Sequence, residues 1–126
     1  MTLLEEQFAI LKGEYPDALL TMLPSGAALI EIRNFSLPSG WTKPSISLKF
    51  IAPVGYPFAR PDCFWTDPDL KLEKSGGLPK NTGSNPIPGV PGTYLWFSWH
   101  LAQWDPNKDN LSTYAHVIES RLKELQ

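Results

Sequence analysis

Ser98 and His100 stand two positions apart in the run Tyr94-Leu95-Trp96-Phe97-Ser98-Trp99-His100-Leu101. A hydroxyl and an imidazole at that spacing share one face of an extended strand, where the imidazole can take the hydroxyl proton and make the oxygen an acyl acceptor. No third member of a triad is visible beside them, so a packed or surface histidine is the competing reading. The lone cysteine, Cys63, falls in the apolar run Cys63-Phe64-Trp65-Thr66. Alternation there puts it on one strand face with Trp65, as a small core residue rather than a reactive thiol. His116 lies in a helical pattern and reads as a solvated or half-buried helix residue.

Other chemistries find less support. Asp67 and Asp69 are separated by Pro68 and have no histidine beside them, so no metal is expected. Lys71, Lys74 and Lys80 with Gly76-Gly77 lack the order of a phosphate loop, and no nucleotide or other cofactor is expected. A net charge of -2 and a pI near 5.6 give no reason to expect nucleic acid or an anionic membrane as partner. One cysteine excludes an internal disulfide and suits a reducing compartment. Acids rather than bases follow Met1, and no apolar run approaches the roughly 20 residues of a membrane span, so the expected location is cytoplasmic. A chain of 126 residues suits one domain, 1-126, with a core that needs no cross-link.

The elements that must position Ser98 and His100 follow from periodicity. Leu4, Phe8, Leu11 and Tyr15 recur at helical spacing until Pro16. Ala18 to Met22, the alternating run around Ala28, Ile30 and Ile32, the run Ile46, Leu48 and Phe50, and Cys63 to Thr66 read as four strands, joined by turns at Pro24-Ser25-Gly26 and Leu37-Pro38-Ser39-Gly40. Short connections favour an antiparallel meander with one wet face. Between the third and fourth strands, Pro53, Pro57 and Pro61 impose a rigid extended arm, with the rings of Tyr56 and Phe58 expected to pack beneath it. From Asp67 to Gly92, five prolines and five glycines without periodicity read as a long irregular loop. A closing helix carries the stripe Leu111, Tyr114, Ala115, Ile118, Leu122 and Leu125, with Asp109, Asn110 or Ser112 as cap. The fold class is α+β, with helices against one face of the sheet.

This order, with Pro53-x-x-Tyr56-Pro57-Phe58-x-x-Pro61 after the third strand and Trp104-x-Pro106 before the last helix, resembles the ubiquitin-conjugating (E2, UBC-like) fold over nearly the whole chain. The resemblance implies a catalytic cysteine about eight residues before Trp104, where Trp96 stands. The asparagine of the family's His-Pro-Asn triplet is missing as well, with only Asn85-Pro86 similar to it. The chain thus looks like the shortened, cysteine-free E2 variants, in particular those of bacterial conjugation clusters.

What the resemblance implies is a non-catalytic, pseudoenzyme-like scaffold that binds an E1-like activating enzyme, a ubiquitin-like protein, or both. Glu5, Glu6 and Lys12 read as a solvated face of the first helix or, by the resemblance, as contacts for the activating enzyme; Trp41, Trp96 and Trp99 are candidate aromatic anchors, with core packing the competing reading for each. One alternative is a conjugating enzyme that uses Ser98 through an oxyester with His100 as base. The other is a ubiquitin- or peptide-binding adaptor on the same fold.

Overall fold

The computed structural model describes residues 1–126. Helix α1, Leu3–Glu14, begins at Thr2, whose hydroxyl accepts from the Glu5 amide while the Glu5 carboxylate accepts from the Thr2 amide. This reciprocal cap satisfies two otherwise orphaned amides. At the other end, Lys12 Nζ donates to the carbonyls of Pro16 and Ala18 and holds the chain as it turns into the sheet.

The sheet has six antiparallel strands: β1 Ala18–Met22, β2 Ala28–Ser36, β3 Ser45–Ala52, β4 Phe64–Thr66, β5 Thr82–Ser84 and β6 Leu95–Phe97. Their spatial order is β1-β2-β3-β4-β6-β5. The first four are the expected meander; β5 and β6 correct the expectation of a four-stranded sheet with a loop beside it. Thr82-Gly83-Ser84 offers no apolar alternation, and it becomes a strand because β6 beside it presents an unpaired backbone edge. Helix α2, Leu111–Lys123, closes the fold. Asn110 is its cap, its side chain accepting from the Thr113 amide at 3.0 Å.

One face of the sheet meets both helices. Ile30, Ile32, Leu48, Phe50, Phe64 and Phe97 are buried there against Leu11, Leu111, Tyr114 and Ile118, and Phe64 stacks on Phe97 at 4.5 Å. The other face is not wholly wet. Leu29 and Trp65 are buried against Ile87, with Val90, Tyr94 and Trp96 packed around them, so the Pro/Gly-rich segment folds back over the sheet. Burial of that much apolar surface is the main term holding the segment down.

The proline arm is tied at both ends. Tyr56 packs toward Trp104 at 6.0 Å and hydrogen-bonds Gln7 of α1 through its hydroxyl, while Trp104 Nε1 donates to the Pro57 carbonyl at 2.7 Å. The Tyr56-Pro57 peptide is cis. Phe58 departs from expectation: it is 82% exposed, because the arm turns at Gly55 and carries that ring outward while Tyr56 alone points in. Trp41 is likewise no surface anchor. It is 4% exposed, and its Nε1 donates to the Leu122 carbonyl at 2.8 Å, which locks the β2–β3 connection onto the end of α2.

Candidate functional site

Ser98 and His100 leave the end of β6 in the stretch that leads toward Trp104. Pairing with β4 in the register Phe64↔Phe97 and Trp65↔Trp96 sets Cys63 and Asp62 across from them, and the Cys63 amide donates to the Trp99 carbonyl at 3.1 Å. The proline arm therefore ends at Pro61 directly beside the histidine. His100 Nδ1 lies 2.5 Å from Asp62 Oδ1, and Ser98 Oγ lies 3.5 Å from His100 Nε2. When Nδ1–H donates to the carboxylate, Nε2 keeps its lone pair toward the serine hydroxyl. This is the ordering of nucleophile, base and orienting acid by which a hydroxyl becomes an acyl acceptor. The serine contact is at the loose end of hydrogen bonding, as uncomplexed sites often are.

Asp62 is the member the sequence reading missed. It is 38 positions from His100, and only the β4–β6 pairing, itself unforeseen because β6 is three residues long, brings the two together. Cys63 also belongs to this cluster: Asp62, Cys63 and His100 each offer a ligand atom, all within 4.8 Å of one another. The cysteine is buried, and burial above all pushes its thiol pKa up. Trp96, at the place where the conjugating-enzyme pattern has its cysteine, pairs with Trp65 across β4 and β6 and packs on the Leu29, Trp65 and Ile87 cluster.

Three residues other than glycine have positive φ: Asn34, Cys63 at 62° and Asn81 at 61°. The last two flank the site. Such conformations cost energy and persist where the surroundings enforce them. Asn81 is opposite Ser98, whose amide donates to the Asn81 carbonyl at 2.8 Å. Asn85 lies at the far end of β5, its carbonyl taken by Trp65 Nε1, so Asn81 rather than Asn85 stands beside the serine.

The remaining candidates lie elsewhere. Trp99 is half-buried, with the Arg121 guanidinium 5.2 Å from its ring centre. That buried arginine also donates to the carbonyls of Lys80, Glu124 and Gln126, and so clamps α2 to the chain entering β5. Glu5 and Lys12 have the capping duties already described, while Glu6 is exposed. Asp67 and Asp69 both take Lys43 Nζ at 2.8 Å, an ion-pair cluster that accounts for the two acids. His116 meets Glu14 at 2.6 Å across the two helices. No helix is long and apolar enough to cross a membrane.

An N-terminal helix, a meander, a proline arm packed on Trp104 and a polar cluster between that arm and Trp104-x-Pro106 together define an E2-like domain. The sequence matches the family described as Prokaryotic E2 family E over residues 20–125, and the chain belongs to that family. Membership associates it with ubiquitin-like conjugation. No curated protein and no solved structure matches it.

Proposed function

We propose that this chain is an acyl-transferring E2-like protein that carries a ubiquitin-like modifier on Ser98. The observation behind the reading is the line Ser98 Oγ, His100 Nε2, His100 Nδ1 and Asp62 Oδ1, with contacts of 3.5 and 2.5 Å. An E1-like activating enzyme would present the modifier's C-terminal carbonyl as a thioester or acyl adenylate. Ser98 Oγ attacks that carbonyl carbon and loses its proton to His100 Nε2, and the activating group departs as the new C–O bond forms. Asp62 holds the imidazole and balances its charge. His100 gives that proton to the departing group, and when an amine attacks the ester it takes the amine's proton and passes it to Ser98 Oγ as the C–O bond breaks. Ser98 is favoured over Cys63 as acceptor because the thiol is buried and its pKa is raised.

A scaffold that binds the activating enzyme or modifier without carrying it is the second reading. It is favoured by the openness of the couple, whose His100 and Asp62 side chains are 60% and 57% exposed and so compete with water. Incubation with modifier, activating enzyme and ATP separates the two. An adduct stable to thiols, cleaved by alkali or hydroxylamine and lost in Ser98→Ala supports transfer. An ATP-dependent complex without adduct supports the scaffold, and binding of modifier without any activating enzyme would leave only an adaptor.

A further inference from the structure

We infer that Asp62, Cys63 and His100 form a binding site for a zinc-type divalent cation. A carboxylate oxygen, a thiol sulfur and an imidazole nitrogen gather within 4.8 Å of one another, from two segments that the β4–β6 pairing fixes. Three protein ligands of mixed O, S and N character with one position open to solvent form the donor set of a borderline-soft metal rather than of magnesium or calcium. Tetrahedral zinc, with bonds of about 2.0 to 2.3 Å, needs its ligands roughly 3.5 Å apart. Closing that gap falls to His100 and Asp62, whose side chains are more than half exposed and free to swing.

The backbone of the cysteine also suits a metal thiolate. Its left-handed backbone, φ 62°, lies at the start of β4 with its amide already held by Trp99 and its carbonyl by Tyr114 at 2.8 Å, so the residue is fixed from both sides. Burial that makes the free thiol reluctant to ionise is no obstacle, because a coordinating metal displaces the thiol proton to solvent outright. The bound ion would carry the two positive charges that the thiolate and the Asp62 carboxylate neutralise. It would also break the Asp62–His100 bond, so the cation and the proposed proton transfer at Ser98 exclude each other.

Cobalt(II) titration of the intact chain tests this without modifier, activating enzyme or ATP. One equivalent should produce a thiolate-to-cobalt charge-transfer band and the intense visible bands of a four-coordinate ion, both removed by stoichiometric zinc. Cys63→Ser should abolish the charge-transfer band. His100→Ala and Asp62→Asn, at exposed positions where the fold is kept, should each weaken cobalt binding by roughly 10-fold or more. Absence of the band in the wild-type chain, or unchanged affinity in both His100→Ala and Asp62→Asn, would overturn the site. Cobalt binding without any Ser98 adduct would leave the metal site standing and remove the transfer reading; an adduct without cobalt binding would do the reverse.

Discussion

Tyr114, at the end of the first turn of α2, donates its hydroxyl to the carbonyl of Cys63 at 2.8 Å. That bond runs from the buried face of the last helix, beneath Phe50 at 5.2 Å, to the residue that separates Asp62 from β4. The position of the Asp62 carboxylate thus depends on a helix 51 residues away in sequence. Tyr114→Phe keeps the ring and leaves the Cys63 carbonyl without its buried donor. The expected loss in urea unfolding is about 1–2 kcal/mol, together with slower adduct formation at Ser98. Unchanged stability and unchanged adduct formation would show that the tie does not position the site.

Asn81 is expected to matter to transfer rather than to folding. Its backbone carbonyl takes the Ser98 amide, and its exposed side-chain amide makes no hydrogen bond in the fold and so is free to donate to an acyl oxygen held at Ser98. Asn81→Ala should slow adduct formation by about 10- to 100-fold while complex formation with the activating enzyme persists. Because Asn81 has φ 61°, Asn81→Gly serves as the control that removes the amide without straining the backbone. Wild-type rates in both variants would remove this residue from the chemistry.

Trp41 is a core indole, the second of the two readings its sequence left open. Trp41→Phe removes the donor to the Leu122 carbonyl and leaves that acceptor buried, which should cost about 2 kcal/mol in denaturant unfolding. Affinity for activating enzyme or modifier should not change. A large affinity loss at unchanged stability would return Trp41 to the interface.

The parts of this molecule written in local periodicity were legible in advance. Leu11, Ile30, Leu48, Phe50 and Ile118 are buried where helix and strand spacing put them, and Pro53 to Pro61 leads from β3 to β4 as a tied arm. What was not legible depends on long-range pairing. Gly83 and its neighbours carry no strand signal of their own, and β5 forms only because β6 needs a partner. The site shows the same division: Ser98 and His100 were visible as neighbours, whereas Asp62 enters only across β4 and β6. Phe58 failed for a related reason, since alternation along the arm cannot say which of two rings the turn at Gly55 will carry outward.

Alkali should unfold the protein over a defined range. Burial, with Glu14 and Glu119 nearby, holds the Tyr15 phenol up at about 12 against an ordinary 10.0, and burial also raises Tyr56 and Tyr114. The Cys63 thiol is raised above its ordinary 9.0 for the same reason. In each case the folded chain favours the protonated form, so the unfolded chain ionises first. The stability these groups contribute is intact below about pH 9 and falls as pH rises through the ordinary thiol and phenol values toward 12. In a Tyr94→Phe chain, which leaves only these three tyrosines, thermal midpoints measured across that range should decline, with phenolate absorbance appearing only as the fold is lost. Early phenolate absorbance at constant midpoint would contradict the buried placement of these rings.

The most direct test of the account is the chemical identity of whatever links this chain to an activated modifier. With activating enzyme and ATP present, the account predicts a covalent adduct that survives thiol, yields to alkali, maps to Ser98, disappears in Ser98→Ala and is slowed by more than about 100-fold in His100→Ala. A thiol-cleaved adduct on Cys63, or a stable complex with no adduct at all, would contradict it.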